Sequence, residues 1–330
     1  MAVPMIPPAA ATEFLARAGW DGANILPLAG DASFRRYFRV LAPGRQAVLM
    51  DAPPPHEDPR PFVKVAEYLA GVGLRAPAIM ARDLDAGLLL IEDFGDRRMR
   101  EAVDCDPDSE ASVYRGVVDV LIELHRHAPA DLPRHDLDHW LSELTLFTDW
   151  YCPHMGLNID EAGFRTAWQA VLAPLENGPD AWVTELRDYH AENIILTDDA
   201  GIARYGLLDF QDARVGHPAY DLVSMLEDAR RDVSPDVEAA MLAHYMTATG
   251  RGAAFETAYW ALGAQRNTRI LGVFVRLWKR DGKPHYRTFQ ARMWGLLERD
   301  LAHPALAPVR AWFDANVPVE ARTAAWVQYS

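Results

Sequence analysis

The chain has 330 residues, which exceeds a usual single domain and predicts two lobes, and 50% of its residues are hydrophobic. Its net charge of −14 argues against a nucleic-acid partner, since proteins that bind phosphate backbones carry basic surfaces. The two cysteines, Cys105 and Cys152, lack the spacing of a disulfide framework or a zinc site, so a reducing cytoplasm is expected.

The start of the chain, residues 1–11, is rich in proline and alanine and precedes the first basic residue, Arg17. A secretory signal peptide begins with a charged region and continues with an uninterrupted apolar one. Apolar runs elsewhere, such as residues 87–91, are far too short to cross a bilayer. We therefore expect a protein that is not exported and has no membrane partner.

The first part of the chain alternates short helices and strands, bounded by glycine and proline signals. The predicted elements are a helix at 12–18, strands at 32–40 and 46–50, a helix at 62–70 and strands at 78–82 and 87–91. A proline-rich loop separates the second strand from the second helix. Together they predict a small β-rich N-lobe over residues 1–94.

From residue 107 onward the composition shifts to helix, with apolar stripes at helical spacing. Helices are predicted from 107 to about 125 and at 137–151, 160–175, 219–230, 235–249, 253–279 and 286–302. The larger helical C-lobe therefore covers residues 95–330. The predicted fold class is α+β with two lobes.

Within this helical part, two short apolar runs at 193–196 and 205–208 flank an Asp-Asp-Ala-Gly turn and predict a β-hairpin. Asp188 and Asn193 come at or just before the first run, and Asp209 follows the second. The hairpin would return these oxygen-bearing side chains to one end of a small sheet. Any one of these three residues alone would be an ordinary turn residue. Together they predict a magnesium site, because Mg²⁺ binds through one or two carboxylates plus substrate phosphates.

The spacing from Asp188 to Asn193, followed by Asp209 and phenylalanine, resembles the catalytic and metal-binding loops of protein-kinase-like phosphotransferases. It is more similar still to the aminoglycoside phosphotransferase superfamily, whose HGDLHPGN loop and D-F-E/G-D-A segment read LRDYHAEN and DFQDA here. The resemblance implies the two-lobed protein-kinase-like fold and ATP as cofactor. It also implies that Asp188 is the catalytic residue, which accepts the proton of the acceptor hydroxyl, and that Asn193 and Asp209 bind Mg²⁺.

A second segment downstream, residues 216–222, reads GHPAYDL and is similar to the superfamily's G-x-P-x-x-D-L. The resemblance implies that Asp221 is a buried residue at a helix start. There it would accept backbone N–H groups and brace the catalytic loop.

For the nucleotide, the resemblance implies a phosphate-covering loop at 30–33, although the glycine-rich signature is absent. Small and basic residues stand there instead, and a hinge that binds adenine would follow the last N-lobe strand. The resulting nucleotide-binding candidates are Ser33, Phe34, Arg36, Lys64, Glu92 and Phe94. Arg35 and Arg36 are equally explained as a solvated strand face, and the hinge as a plain linker.

One position departs from the superfamily: Met50 stands where a strand lysine would pair with the ATP phosphates. Arg36 or Lys64 is expected to supply this charge, unless the metal ions carry more of it.

For the acceptor, the long helix at 253–279 lies in the region that builds acceptor pockets in the superfamily. The substrate-binding candidates are His190, Gln211, Asp212 and Arg269. Arg269 could equally be a surface arginine whose aliphatic part packs on the core while its charged end stays in solvent.

The stretches GDASFRRYFRV, VLMDAPP and EDPRPFVKVAEYL are similar to one branch of the superfamily, the kinases that phosphorylate N-acetylmuramate and N-acetylglucosamine at C1. This implies a small-molecule amino-sugar substrate, no obligate protein partner, and a place in peptidoglycan recycling that bypasses the fosfomycin-sensitive step. An aminoglycoside kinase, a choline- or homoserine-type metabolite kinase and a non-catalytic nucleotide-binding pseudokinase stay open as alternatives.

Overall fold

The computed structural model describes residues 5–28, 34–178, 180 and 182–323. The β-strands in chain order are β1 (Asn24–Pro27), β2 (Arg36–Ala42), β3 (Arg45–Asp51), β4 (Ile79–Asp83), β5 (Leu88–Ile91), β6 (Val183–Glu185), β7 (Ile194–Leu196), β8 (Tyr205–Leu207) and β9 (Arg214–Gly216). The α-helices are α1 (Ala11–Arg17), α2 (Arg60–Gly71), α3 (Met99–Cys105), α4 (Glu110–Leu124), α5 (Leu137–Leu146), α6 (Cys152–His154), α7 (Glu161–Glu176), α8 (Ala219–Leu226), α9 (Pro235–Thr249), α10 (Ala253–Lys279), α11 (Gln290–Leu301), α12 (Ala307–Asn316) and α13 (Val319–Thr323).

The described residues form two compact units. The sheet unit lies within 1–105 and 192–212, and the helical unit lies within 106–191 and 213–330. The sheet unit thus runs past the N-lobe boundary expected at residue 94 and also takes in the β7–β8 hairpin. Backbone hydrogen bonds explain this grouping, because Leu196 N donates to Arg97 O and Leu207 N donates to Arg75 O, both at 2.8 Å.

The sheet unit is built on a five-stranded antiparallel sheet in the order β1-β2-β3-β5-β4. Phe38 and Val40 of β2 pack with Leu49 of β3 and with α1 in a hydrophobic core on one face of this sheet. The strand predicted at 32–40 begins later, because Arg36 is the first residue of β2 to pair with β3, opposite Asp51. Residues 32 and 33 of that prediction lie outside the described residues, and β1 was not predicted.

The helical unit confirms the predicted helices at 235–249 and 253–279 with the same bounds, as α9 and α10. The Ser234 side chain accepts a hydrogen bond from Val237 N at 3.3 Å, and Gly250 ends α9 in the left-handed region with φ 68°. Gly272 is required where α10 crosses α5, since a Cβ there would overlap the Leu146 carbonyl. No helix within the described ranges is both long and apolar enough to cross a membrane.

Two predicted helices end early. The helix predicted at 137–151 changes after Leu146 to a π-helical turn, Phe147–Tyr151. The helix predicted at 219–230 ends at Leu226, because Glu227 leaves the helical conformation with φ −112° and ψ 49°. Neither change alters the architecture, and the predicted α+β class, with a small sheet-rich part and a larger helical part, is confirmed.

Candidate active site

The loop that carries Asp188 follows β6 in the helical unit and is held by a buried carboxylate. Asp221, in the first turn of α8, accepts hydrogen bonds from Leu186 N at 2.6 Å and Arg187 N at 2.8 Å. The predicted brace is therefore confirmed. Ser224 donates to Arg187 O at 3.1 Å from the next turn of the same helix. The backbone on the N-terminal side of Asp188 is fixed by two side chains of one helix.

A second brace holds the other end of the same loop and was not predicted. Ala191 N donates to Asp228 Oδ2 at 3.1 Å, while Arg230 N donates to the other oxygen of that carboxylate at 2.8 Å. Tyr189 OH donates to Val117 O at 2.8 Å between the two braces. Asp228 has no recognisable signal in the sequence, because the predicted helix at 219–230 includes it. The half-buried side chain of Asp188 thus stands on a loop anchored at both ends.

Electrostatics make the Asp221 brace sensitive to pH. Burial raises the pKa of Asp221 to about 8, and Glu185 acts in the same direction, while the two backbone N–H groups oppose the rise. A carboxyl whose pKa is higher in the folded than in the unfolded chain binds extra protons when folded. Its contribution to stability is therefore present below about pH 4 and is lost as the pH rises towards 8.

Asp221→Asn is expected to flatten the pH dependence of stability between about pH 4 and 8, because an amide does not titrate in this range. Urea unfolding across this range measures the effect. Asp236→Asn, an exposed aspartate in the first turn of α9, is the matched control. A pH dependence in Asp221→Asn as steep as that of the wild type would contradict a titrating buried carboxyl at this position.

Beside the loop that carries Asp188 lies a group of ionisable side chains that we call the Glu143 cluster: Glu143, Arg187, Arg269, His135 and Glu185. Glu143 pairs with Arg187 and lies 3.5 Å from Arg269 Nε. Its other oxygen is 3.3 Å from Nε2 of His135, whose Nδ1 is 2.7 Å from Glu185. Burial acts to lower the pKa of His135, but the two glutamates outweigh it and raise the pKa.

Arg187 stands in an unusual backbone conformation for its residue type. Its φ is 68°, in the left-handed region that favours glycine, and the superfamily motif HGD has glycine at this place. The strain is offset by the hydrogen bonds of Arg187 to Asp221, Ser224 and Glu143. The chain therefore keeps a guanidinium next to Asp188 where the motif has no side chain.

Two acceptor candidates in the helical unit have different surroundings. The Arg269 side chain is 24% exposed. Burial acts to lower its pKa, but the charges of neighbours, Glu143 first and Asp188 among them, raise it. His190 is buried and its Nε2 lies 3.2 Å from Arg230 Nη1. Substrate contact by Arg269 and by His190 stays a prediction.

The metal-binding candidates lie in the sheet unit, where the predicted hairpin is confirmed as β7 and β8. Leu208 N donates to Asn193 O at 2.9 Å, so Asn193 and Asp209 stand at the same end of the hairpin. Asp209 has φ 56°, a left-handed conformation that aspartate and asparagine tolerate. Its Oδ1 accepts a hydrogen bond from Gln211 Nε2 at 2.8 Å.

These residues fit a magnesium ion. Gln211 Nε2 also donates to Asp212 at 3.2 Å. Within the described part of the chain, the buried Oε1 of Gln211 accepts no hydrogen bond. An unsatisfied buried oxygen beside two carboxylates suits a hard cation, which takes oxygen ligands. Asn193 and Asp209 would hold the ion, with Asp212 and Gln211 alongside.

The predicted nucleotide candidates before the hinge differ in placement. Ser33 lies outside the described residues. Phe34 is 65% exposed, and Lys64 lies on the exposed side of α2. Arg36 donates from Nε to Asp51 at 2.7 Å, and Asp51 is buried. The roles given to these residues stay predictions.

The hinge candidates, Glu92 and Phe94, are tied to the hairpin. Glu92 pairs with both terminal nitrogens of Arg75, at 2.6 and 2.7 Å. The Arg75 guanidinium also lies 4.8 Å from the centroid of the Phe94 ring. That ring packs on Gly206 of β8, where a Cβ would come within 2.6 Å of it. Both side chains thus have structural contacts, which leaves adenine binding by their backbone a prediction.

Comparison with curated proteins gives two relatives that share most of the chain. An N-acetylmuramate/N-acetylglucosamine kinase of Caulobacter vibrioides is 38% identical, over 95% of this chain and 98% of that protein. A protein of the same name from Pseudomonas aeruginosa is 36% identical, over 89% of this chain and 90% of its own length.

Solved structures show the same fold at lower identity. A choline/ethanolamine kinase family protein from Mesorhizobium loti has a TM-score of 0.61 at 17% identity, over 92% of this chain and 96% of its own. The ADP-bound aminoglycoside phosphotransferase APH(2'')-Ib has a TM-score of 0.59 at 15% identity, over 87% and 97%. The model of the phosphotransferase enzyme family, APH, matches residues 24–255. The resemblance inferred from the sequence is therefore confirmed, and the chain belongs to the APH phosphotransferase enzyme family.

Proposed function

We propose that this protein uses ATP and Mg²⁺ to phosphorylate the anomeric C1 hydroxyl of N-acetylmuramate and N-acetylglucosamine. The observation that carries the proposal is the name shared by its relatives, N-acetylmuramate/N-acetylglucosamine kinase, at 38% and 36% identity over most of both chains. The braced loop around Asp188 and the oxygen ligands around Asp209 support a working phosphotransferase over a pseudokinase. A pseudokinase binds nucleotide without transferring phosphate, so it would not need both a braced Asp188 loop and the oxygen ligands around Asp209.

In the proposed reaction, Asp188 accepts the proton of the sugar hydroxyl as that oxygen attacks the terminal phosphate of ATP. The braces at Asp221 and Asp228 keep its backbone fixed, so that little reorganisation is needed during the reaction. Mg²⁺, held by Asn193 and Asp209, would neutralise charge on the phosphates. The adenine would bind to backbone groups at 92–94.

On the acceptor side, the proposal assigns the lactyl carboxylate of N-acetylmuramate to Arg269. The exposed part of this side chain and the presence of Arg187 in the Glu143 cluster support it, because carboxylates are bound well by guanidinium groups. N-acetylglucosamine lacks this carboxylate and would bind through its remaining polar groups. Both sugars should then be substrates, with N-acetylmuramate preferred.

The proposed products are sugar 1-phosphates. We propose further that they enter peptidoglycan recycling in the cytoplasm, in line with the branch of kinases that the sequence resembles. An N-acetylmuramate 1-phosphate made in this way is a precursor for a nucleotidyltransferase, which gives a route around the fosfomycin-sensitive step.

A coupled assay of ADP release tests the proposal against its alternatives. The acceptors are N-acetylmuramate, N-acetylglucosamine, a panel of aminoglycosides, choline and homoserine. ADP release with the two amino sugars, and with no other acceptor, is expected. Turnover of an aminoglycoside, choline or homoserine in place of the sugars would assign the protein to another kinase, and ATP binding without any turnover would make it a pseudokinase.

Arg269→Ala is expected to lower kcat/KM for N-acetylmuramate about 10- to 150-fold, because a charge-assisted hydrogen bond contributes about 1.5–3 kcal/mol. The value for N-acetylglucosamine should change much less. Arg280→Ala removes a charge from the exposed end of the same helix and is the matched control. Equal losses on both sugars would contradict the role of Arg269 and leave the kinase assignment intact.

A further inference from the structure

The strand position that carries a lysine in kinases is apolar in this protein. Met50 of β3 is fully buried, with 0% exposure. In protein kinases the strand lysine pairs with a helix glutamate and with the ATP phosphates. The buried residues of the following helix, α2, are likewise apolar: Phe62, Val63, Val65, Ala66 and Leu69. Apolar side chains thus stand in place of both the strand lysine and the helix glutamate. Another cation would have to bind the phosphates.

The strand register shows which residues share a face with Met50. Tyr37 of β2 lies opposite Met50, and neighbouring residues of a strand point to opposite faces. Phe38 pairs with Leu49, and both belong to the core on the α1 side of the sheet. Arg35 lies directly before the first residue of β2, and the alternation of the strand, continued by one residue, places it on the face of Met50.

The contacts of Arg35 agree with this placement. It is only 9% exposed, and its Nη2 lies 3.5 Å from Oδ1 of Asp209, the proposed metal ligand. The guanidinium of an arginine stays protonated in proteins. Acidic neighbours of Arg35 include Asp209, Glu57 and Asp212. Arg35 is therefore a permanent cation in the acidic part of the site.

The neighbouring residue, Arg36, lies on the opposite face of the sheet from Met50. Arg36 lies opposite Asp51 in the register and pairs with it at 2.7 Å, and its Nη1 donates to Ile6 O at 3.2 Å. The Asp51 carboxylate is almost fully buried, so moving Arg36 to a phosphate would leave a buried charge without its partner. The contact of Arg35 with Asp209 is long by comparison, at 3.5 Å, and Asp209 also accepts a hydrogen bond from Gln211.

We propose that Arg35 supplies the phosphate-binding cation that the missing strand lysine supplies in other kinases. The inference rests on the proposed use of ATP and Mg²⁺ by this site. A nucleotide phosphate bound beside Asp209 would be within reach of this guanidinium, whose planar donors suit phosphate oxygens. Arg35 replaces Arg36 and Lys64, the residues that the sequence favoured for this role.

Isothermal titration calorimetry on the full chain tests the assignment without relying on turnover. ATP and ADP, each with Mg²⁺, and adenosine are titrated into the wild type and into Arg35→Ala, Arg35→Lys and Arg36→Ala. Arg17→Ala, which removes an exposed charge from the same unit, is the matched control. Thermal unfolding of each variant checks the fold, and Arg35→Gln replaces Arg35→Ala if the latter does not fold.

Arg35→Ala is expected to weaken ATP and ADP binding about 10- to 150-fold, the equivalent of one charge-assisted hydrogen bond, with adenosine binding unchanged. Arg35→Lys should keep part of the affinity. Unchanged ATP affinity in Arg35→Ala, an equal loss for adenosine, or a phosphate-specific loss in Arg36→Ala in its place would overturn the proposal. If the wild type binds ATP but phosphorylates no amino sugar, the proposed function fails while the role of Arg35 stands; if it binds no nucleotide, both fail.

Discussion

Asp188→Asn is expected to lower kcat about 10²- to 10⁴-fold, the usual contribution of a positioned general base. This corresponds to roughly 3–5 kcal/mol of activation free energy. The amide has the same shape as the carboxylate but cannot accept the hydroxyl proton. The loop should keep its conformation, because Asp221 and Asp228 hold it through backbone groups on either side of the substituted residue.

Steady-state kinetics with N-acetylmuramate and thermal unfolding measure the two parts of this expectation. The exposed Asp138, substituted in the same way, is the matched control for the loss of one carboxylate in the helical unit. The KM for ATP should change little, because Asp188 is assigned to the acceptor and not to the nucleotide. Retention of more than a tenth of the wild-type kcat would remove Asp188 from the role of base.

Asp209→Asn is expected to act through the metal. Losing an outer-shell partner of a metal site typically lowers affinity or activity 10- to 100-fold, and losing a charged direct ligand should cost at least as much. The fold should be spared, since asparagine also tolerates the left-handed conformation that Asp209 adopts at φ 56°. Activity should therefore need more Mg²⁺ and reach a lower maximum.

A magnesium titration of activity, and of ATP binding by calorimetry, checks this expectation. Asp198→Asn in the exposed turn of the same hairpin is the matched control. A variant titration that overlays the wild-type curve would show that Asp209 is not a metal ligand.

The features that the sequence predicted well have local signals. The ends of α9 follow from Ser234 before Pro235 and from Gly250, and the β7–β8 hairpin follows from two apolar runs and a turn. Asp221 could be recognised because its segment resembles a superfamily motif, and the structure confirms its contacts with the loop. The strands β1, β6 and β9 are three or four residues long, too short to show a period of two.

The features that were missed depend on contacts between distant parts of the chain. Glu143 and Glu185 come together with Arg269 only after the helices and β6 have packed. The proposed choice of Arg35 over Arg36 likewise depends on the register of β2 against β3, and a shift of one residue exchanges the two faces of a strand. Residues 35 and 36 are adjacent and are both arginines, so the sequence alone could not show which of them faces the phosphates.

The position of the phosphate on the product decides whether the protein is an anomeric kinase. Wild-type protein is incubated with ATP, Mg²⁺ and N-acetylmuramate, and the product is examined by ³¹P–¹H correlation NMR. We expect coupling between phosphorus and the anomeric proton, H1, with the same result for N-acetylglucosamine. Coupling to the C6 protons would contradict the assignment as an anomeric kinase.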